Sequence, residues 1–183
     1  MTPGGNGPAV FLDRDGVINR VIVRDGLPYS PSCLEELEIP ADVPMALGRL
    51  KQAGFALIVV TNQAEVARGT QTRAMVEVIN NALAEELPLD EFRVCYHDDG
   101  DNCECRKPRP GLLLQPPVYD LAESMMVGDR WRDIEAGRSA RVRATILVDS
   151  GHAEPCRTQP DFRAKSLAQA VDWILRKGGV GTT

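Results

Sequence analysis

Two acidic side chains follow the first strongly apolar run of the chain. Asp13 and Asp15 come directly after Ala9–Leu12, within the run Asp-Arg-Asp-Gly-Val. Because side chains alternate along an extended chain, carboxylates at positions i and i+2 point to the same side. Two like charges placed together are costly unless a cation or a catalytic role compensates. Asp and Gly also form turns, so an ordinary turn is the alternative for this motif taken alone.

Polar groups follow three later segments. Thr61-Asn62-Gln63 ends an apolar run that starts at Phe55, and its hydroxyl and amides could donate hydrogen bonds to an oxyanion or simply cap a loop. Asp129 follows Gly128 at the end of another apolar run, where it could equally cap the next helix. The run 106–110 carries Arg106, Lys107 and Arg109 between prolines. The prolines make the backbone of this run rigid, which favours an anion-binding role over that of an ordinary solvated surface.

The combination of these motifs is more specific than any one of them. Acids from two strand ends can share a divalent cation, and Mg²⁺ prefers a few carboxylates together with substrate phosphate. The Thr61 hydroxyl and the Lys107 ammonium could then hold phosphoryl oxygens. Together the motifs predict a phosphoryl-transfer site.

A second cluster combines sulfur and imidazole ligands. Cys95, His97, Cys103 and Cys105 form the pattern C-x-H-x5-C-x-C. Four such ligands close a tetrahedral Zn²⁺ site, which is then structural and would order the polar loop 98–102. A redox pair of Cys103 and Cys105, or unrelated thiols, are the alternatives. Cys33 and Cys156 lie outside the pattern and are predicted to be free thiols.

The elements that must position these residues alternate along the chain. Short apolar runs predict strands, apolar residues at helical spacing predict helices, and the alternation predicts a Rossmann-like α/β fold, a parallel sheet with helices on both faces. Ligands bind at the carboxyl ends of such strands. The predicted strands are 9–12, 55–60, 92–96, 124–127 and 144–148, and the predicted helices are 43–53, 72–87, 132–140 and 167–176.

Two segments depart from this alternation. Within residues 19–42, Asp25-Gly26 between apolar runs predicts a hairpin-like flap. Residues 95–110 form the predicted zinc loop, an insertion too small to be a cap domain. Pro116-Pro117 stands where a helix should cross between strands, and it marks either a helix start or a break.

Length and composition bound the remaining possibilities. The chain has 183 residues, of which 43% are hydrophobic, and this predicts one domain over residues 1–183 with a flexible lead at 1–8 and a flexible tail at 177–183. The net charge of −5 argues against a nucleic-acid partner. No apolar run is long enough for a membrane span, so a cytoplasmic protein is expected. Few aromatic residues favour a monomer.

In this order, the motifs resemble those of the haloacid dehalogenase (HAD) superfamily: Asp13-x-Asp15-Gly-Val, Thr61-Asn-Gln, Lys107-Pro and Gly128-Asp129. The resemblance implies that Asp13 is the nucleophile and forms an aspartyl-phosphate, and that Asp15 is the general acid and then the base. Thr61 and Lys107 would stabilise the phosphoryl group. Mg²⁺ would bind Asp13, the Asp15 carbonyl and Asp129, and Asp133 would hold a metal-bound water.

The zinc loop narrows the resemblance to one branch of the superfamily. A loop that runs directly into Cys105-Arg106-Lys107-Pro108 is similar to that of heptose bisphosphate and histidinol-phosphate phosphatases, which lack a large cap domain. The resemblance implies that Arg106 helps to bind phosphate. Its guanidinium fork suits that role.

Within that branch the chain most resembles the D-glycero-D-manno-heptose 1,7-bisphosphate 7-phosphatase family. The resemblance rests on Ala67-Arg68-Gly69 and on the Pro-Gly after Lys107-Pro-Arg109. A bisphosphate substrate would account for the surplus of arginines. The implied substrate-binding residues are Tyr29, Asn62, Gln63, Arg68, Arg109 and Arg130.

Two segments depart from the heptose family's pattern. Ala64-Glu65 replaces its usual Ser-Gly, and the flap after Asn19 lacks its short Asp-x-Gly-Tyr run, with Tyr29 as the candidate for the tyrosine. Histidinol phosphate or another small sugar phosphate is therefore an alternative substrate. A non-catalytic, zinc-stabilised binding module is the alternative of a different class.

Overall fold

A computed structural model describes residues 7–151 and 158–177. Its centre is a six-stranded sheet with the order β5-β4-β1-β6-β7-β8, in which every pairing is parallel. A separate antiparallel pair, β2 and β3, forms a hairpin. The strands are β1 Ala9–Leu12, β2 Ile22–Arg24, β3 Leu27–Tyr29, β4 Ala56–Asn62, β5 Glu91–Cys95, β6 Met125–Gly128, β7 Ala144–Val148 and β8 Phe162–Ala164.

Helices cover both faces of the sheet. Apolar residues of α1, α2 and α5 pack with one set of strand side chains, and those of α3 and α4 pack with the other set. This arrangement buries β1 on both faces, which is why its sequence is a continuous apolar run. The helices are α1 Val43–Gln52, α2 Arg73–Glu86, α3 Gly111–Leu114, α4 Trp131–Ala140 and α5 Leu167–Lys177.

The predicted Rossmann-like sheet and its helices are confirmed, with ends that shift by one or two residues. The Thr72 hydroxyl accepts a hydrogen bond from Met75 N at 3.2 Å and starts α2. Gly54, at φ +89°, follows the end of α1 and lets the chain turn into β4. Within the residues described, no inserted cap domain interrupts the sheet. The same residues contain no helix long and apolar enough to cross a membrane.

Pro116-Pro117 marks a break rather than a helix start. The short helix α3 ends at Leu114, before the two prolines. The buried guanidinium of Arg93 donates hydrogen bonds to the carbonyls of Leu112, at 2.9 Å, and Pro117, at 2.8 Å. The side chain of a neighbouring strand therefore satisfies carbonyls that a longer helix would have satisfied internally.

The hairpin lies where Asp25-Gly26 predicts a turn. Both turn residues have positive φ, +52° at Asp25 and +74° at Gly26, as a two-residue turn between twisted strands requires. Strand β8 and helix α3 were not predicted. The proposed lead and tail lie largely outside the described residues, as does Cys156.

Candidate active site

The carboxyl end of β1 places Asp13 at the centre of the sheet edge. Its backbone N–H donates to Val127 O of β6 at 2.9 Å, which continues the parallel ladder one residue past the strand. The Asp13 side chain faces Lys107, whose Nζ donates to Asp13 Oδ1 at 2.8 Å. Nucleophile and cation, both predicted from the sequence, are thus direct neighbours.

Lys107 is buried, and its ammonium group donates three hydrogen bonds. Its ammonium also donates to Asp133 Oδ1 at 2.6 Å and to the Val60 carbonyl at 2.7 Å. Burial alone would lower the pKa of Lys107, but the attraction of Asp13 and Asp133 outweighs it and raises that pKa above its ordinary value. The Lys107 side chain is therefore a fixed positive charge beside Asp13.

Three buried carboxylates surround one point at this edge. Asp13, Asp129 and Asp133 each offer an oxygen, and these oxygens lie within 4.8 Å of one another. Burial raises the pKa of Asp13 to about 6, although Lys107 opposes the shift. Burial, with repulsion from Asp13 and Asp133, also raises the pKa of Asp129. Asp129 Oδ1 is buried and accepts no hydrogen bond from the described residues. The cluster has the oxygen donors and the excess negative charge that a divalent cation such as Mg²⁺ requires.

Two glycines make room for these carboxylates. Gly16 has φ +88°, and a Cβ there would lie 2.2 Å from Asp129 Oδ2. A Cβ on Gly128 would lie 2.1 Å from Asp133 Cβ. The backbone can approach both acids only because neither position carries a side chain.

Asp15 is held differently from Asp13, because four residues donate hydrogen bonds to its carboxylate. Its Oδ1 accepts from Asn19 Nδ2 at 2.9 Å, and its Oδ2 accepts from Gln63 Nε2 at 2.8 Å and from Ser30 Oγ at 2.9 Å. Arg14 reaches both oxygens through Nη2. Burial raises the pKa of Asp15, but the Arg14 charge and these hydrogen bonds outweigh it, so that the pKa is lowered.

Arg14 was not expected to act in the site, because arginines are rarely buried. Its side chain is completely buried, 0% exposed. The guanidinium bonds Asp15 on one side, and Nη1 donates to Asn80 Oδ1 of α2 at 2.9 Å on the other. Arg14 and Asn80 therefore attach Asp15 to a helix that the sequence places 66 positions away.

The three side chains of the Thr61-Asn62-Gln63 motif have different hydrogen-bond partners. Thr61 Oγ1 accepts from Gln63 Nε2 at 2.8 Å, and Thr61 lines the cavity above Asp13. Asn62 bonds the Lys107 backbone through both Nδ2 and Oδ1. Gln63 is buried and faces Asp15 and Thr61, so it supports the acid instead of reaching a substrate.

A cavity of about 390 Å³ opens above Asp13 and Lys107. The hairpin forms one apolar wall through Val21, Leu27, Pro28 and Tyr29. Basic side chains form the opposite rim, and the cavity is therefore suited to an anion with a neutral body. These basic residues are Arg68, Arg106, Arg130 and Arg132.

Two acids of the predicted zinc loop lie among those arginines. Asp98 accepts from Arg68 Nε and Nη2 at 2.8 and 2.6 Å, and Asp99 accepts from Arg106 Nε at 2.7 Å. The structure does not bring Arg109 to this cavity, because its guanidinium bonds the Cys103 carbonyl instead.

The predicted zinc ligands converge. The sulfur of Cys105 lies 3.1 Å from that of Cys95 and 3.5 Å from that of Cys103, and His97 Nδ1 lies 3.3 Å from the Cys105 sulfur. A tetrahedral site with Zn–S bonds of about 2.3 Å separates its ligand atoms by roughly 3.7 Å. The cluster therefore has nearly the dimensions of a closed zinc site.

The chain resembles known proteins over most of its length. A family model described as HAD-hydrolase-like matches residues 104–171. The chain is 37% identical to the D-glycero-beta-D-manno-heptose-1,7-bisphosphate 7-phosphatase of Escherichia coli strain K12, over 92% of this chain and 88% of that protein. It is 34% identical to the Helicobacter pylori strain J99 protein of the same name, over 91% of this chain and 96% of that protein.

Solved structures share the fold. The D,D-heptose 1,7-bisphosphate phosphatase of B. bronchiseptica, complexed with magnesium and phosphate, aligns with a TM-score of 0.78 at 29% identity, over 93% of this chain and 99% of that one. A putative HAD-like phosphatase from Mesorhizobium loti aligns with a TM-score of 0.77 at 28% identity, over 98% of this chain and 90% of that one. The fold and the acids at its strand ends define a HAD-like hydrolase. Within that class, the chain belongs to the family of D-glycero-beta-D-manno-heptose-1,7-bisphosphate 7-phosphatases.

Proposed function

We propose that this protein is a Mg²⁺-dependent phosphatase that removes the 7-phosphate from D-glycero-β-D-manno-heptose 1,7-bisphosphate. The observation that carries the proposal is the contact between Asp13 and Lys107 beside three convergent carboxylates. That arrangement pairs a nucleophile with a fixed cation and a metal site, as phosphoryl transfer needs. Relatives of the same name, 34 to 37% identical, support the choice of substrate.

The reaction proceeds in two displacements. Asp13 attacks phosphorus, and the bond from phosphorus to the sugar oxygen breaks as that oxygen takes a proton from Asp15. Water then attacks the aspartyl-phosphate and gives a proton to Asp15, so that inorganic phosphate leaves and both acids regain their starting forms. Splitting the hydrolysis in this way replaces one difficult step with two easier ones.

Different surroundings assign different roles to the two acids. Both oxygens of Asp15 accept hydrogen bonds from four residues, which hold this carboxyl in place and keep it from moving to attack phosphorus. Asp13 instead faces Lys107 and the carboxylate cluster. Lys107, as a fixed positive charge, and the Thr61 hydroxyl would stabilise the phosphoryl oxygens as negative charge develops.

The catalytic metal has a fitting set of donors. Asp13, Asp129 and the Asp15 carbonyl would hold Mg²⁺, and the buried Asp129 Oδ1, which accepts no hydrogen bond from the described residues, supports this assignment. Asp133, which the sequence suggests for a metal-bound water, also bonds Lys107 and the Arg130 N–H. Bound Mg²⁺ supplies positive charge that reduces the repulsion between an anionic nucleophile and an anionic phosphate.

We also propose a structural Zn²⁺ on Cys95, His97, Cys103 and Cys105. The distances within the cluster support it. Arg106 follows the last ligand directly, and its Nη1 donates to the His97 carbonyl at 3.2 Å. A zinc ion at this position would therefore fix the loop that presents Arg106 and Lys107 to the cavity.

The basic rim is the proposed position of the second phosphate. Arg68, Arg106 and Arg130 line the same cavity as the proposed nucleophile, and Asp98 and Asp99 balance part of the charge of Arg68 and Arg106. A bound phosphate would replace these carboxylates as the partner of the arginines. Tyr29 on the hairpin is then placed against the sugar.

A comparison of substrates tests the proposal. Purified protein with Mg²⁺ should release phosphate from heptose 1,7-bisphosphate with a kcat/KM well above that for histidinol phosphate or sugar monophosphates. A clear preference for histidinol phosphate would overturn the proposed substrate, but the assignment as a phosphatase would still stand. The Asp13→Asn variant should fold and lose turnover, and full retention of turnover would contradict the nucleophile and favour a non-catalytic module.

We propose further that the protein acts as a cytoplasmic monomer. The low aromatic content of 5% gives no sign of a large hydrophobic interface, and a thiol-rich zinc site is stable in a reducing compartment. Light scattering on the purified protein tests the oligomeric state, and a stable dimer at micromolar concentration would overturn that part.

A further inference from the structure

Three of the four residues that bond the Asp15 carboxylate belong to the core. Arg14, Asn19 and Gln63 are each no more than 1% exposed, and their positions follow from the packing of the sheet and α2. Ser30 differs, because it is only half-buried and directly follows β3 of the hairpin. Within the described residues, Ser30 is thus the link between the general acid and the hairpin.

The hairpin is also the wall that a leaving group would contact. Leu27, Pro28 and Tyr29 line the cavity, and Ser30 is the next residue along the chain. Exposed ion pairs support the hairpin from outside, including Arg24 with Glu36 at 2.6 Å. Solvent-exposed pairs of this kind are weak, so they leave room for small adjustments of the hairpin around a substrate.

The chemistry of the four donors separates Ser30 from the others. Guanidinium and amide N–H groups only donate, whereas a hydroxyl both donates and accepts. Asn19 Nδ2 and Gln63 Nε2 have second partners, the Arg20 carbonyl and Thr61 Oγ1, that keep their N–H groups turned toward Asp15. The Ser30 hydroxyl can therefore donate to Asp15 Oδ2 and still accept a hydrogen bond from a group in the cavity.

We propose that Ser30 is a positioning residue, whose hydrogen bond to Asp15 Oδ2 fixes the orientation of the Asp15 carboxyl toward the leaving oxygen. The hairpin thereby couples the contact of Tyr29 with the leaving group to the placement of the acid. This inference rests on the proposed function, since it needs Asp15 to donate a proton to a sugar oxygen.

The test compares leaving groups that differ in their need for an acid. A sugar alkoxide leaves slowly without a proton, whereas p-nitrophenolate leaves readily as an anion. Ser30→Ala should lower kcat for the bisphosphate substrate by about 10- to 100-fold, with KM nearly unchanged; this is less than the roughly 10²- to 10⁴-fold contribution of a general acid, because Asp15 itself remains. The first-turnover burst of p-nitrophenolate from p-nitrophenyl phosphate should stay within about twofold of the parent protein, because that step does not need the acid.

Two further variants complete the test. Ser30→Thr keeps a hydroxyl and should restore most of the lost kcat. Ser32→Ala removes a hydroxyl that bonds Glu36 Oε2 at 2.7 Å on the outer side, and it should behave like the parent protein. Equal losses with both substrates, no loss, or no rescue by threonine would each overturn the inference while the phosphatase assignment stands. A parent protein that hydrolyses neither substrate would overturn both.

Discussion

Asn62 and Lys107 form a reciprocal pair of hydrogen bonds. Asn62 Nδ2 donates to the Lys107 carbonyl at 3.0 Å, and the Lys107 N–H donates to Asn62 Oδ1 at 3.1 Å. The pair joins the end of β4 to the loop that carries Lys107, the proposed catalytic cation, across 45 positions of sequence. Asn62, which the sequence suggests as a substrate ligand, thus fixes the backbone of Lys107, and Lys107 in turn bonds Asp13, the proposed nucleophile.

Removing this pair should reduce activity more than binding. We expect Asn62→Ala to lower kcat about 10- to 100-fold, because small displacements of a catalytic group have effects of that size. Two lost hydrogen bonds should also reduce the free energy of unfolding by roughly 1–3 kcal/mol. Steady-state kinetics and urea denaturation measure the two effects. An unchanged kcat with a raised KM would instead assign Asn62 to the substrate.

The buried Arg14 predicts a second stability effect. Asn80→Leu leaves Arg14 Nη1 without the partner it has in the structure, and an unpaired buried charged group costs about 1–3 kcal/mol or more. We therefore expect the variant to unfold at clearly lower urea concentration and to lose activity through Asp15. Asn81→Leu, at an exposed position of the same helix, is the matched control and should be close to neutral. Equal stability of the two variants would contradict the role assigned to Asn80.

Magnesium should stabilise the protein more at neutral than at acidic pH. Burial raises the pKa of Asp13 to about 6 and that of Asp129 above its ordinary value. The folded metal-free protein therefore holds these protons more tightly than the unfolded chain does. Their contribution to stability is present below about pH 4 and is lost as the pH rises through about 6. Above that pH the ionised cluster gains most from a cation.

Thermal unfolding with and without Mg²⁺ measures this difference. The rise in Tm on adding Mg²⁺ should be larger at pH 7 than at pH 5, and Asp13→Asn should reduce the rise at pH 7. The comparison at fixed pH removes the contribution of titrating groups away from the metal, such as Asp161, whose pKa is also shifted. A Tm shift of the same size at both pH values would contradict the ionisation assigned to the cluster.

Loss of zinc should abolish activity through the loop that carries Lys107. Metal analysis should find about one zinc per chain, as a single closed Cys/His site requires. We expect Cys103→Ser to lose that zinc, to melt at lower temperature and to lose most of its turnover. Cys33→Ser changes a free thiol outside the cluster and should keep both zinc and activity. Full activity in a zinc-free protein would contradict the coupling between the loop and the site.

The sequence predicts the centre of the fold better than its edges. The central strands are continuous apolar runs because both of their faces are covered, and such runs are visible in a sequence. Strand β8 has only three residues, Phe162–Ala164, and α3 has only four, Gly111–Leu114, so neither is long enough to show a period. The end of α3 depends on the side chain of Arg93, which is distant in sequence.

Within the site, the sequence predicts which residues meet but not where long side chains point. Asp13 and Lys107 converge because strand order and loop position determine their backbone. Gln63 and Arg109 were expected at the substrate, yet their partners turn them toward Asp15 and the Cys103 carbonyl. The sequence gives no signal for Ser30, because its role depends on how the hairpin folds back over the acid.

Substitution of Gly16, which adjoins Asp129, gives the most specific test of the proposed metal site. In Gly16→Ala the new Cβ would meet Asp129 Oδ2, 2.2 Å from its ideal position, so the carboxylate has to move away from the cluster. We expect a large loss of Mg²⁺ affinity and of turnover, measured by Mg²⁺ titration of activity. Gly54→Ala is the matched control, with φ +89° against +88° and nothing within 4 Å of its Cβ. Both variants bear the backbone strain of about 1–2 kcal/mol, but only Gly16→Ala displaces a proposed ligand. Equal Mg²⁺ affinity in the two variants would show that Asp129 does not hold the metal.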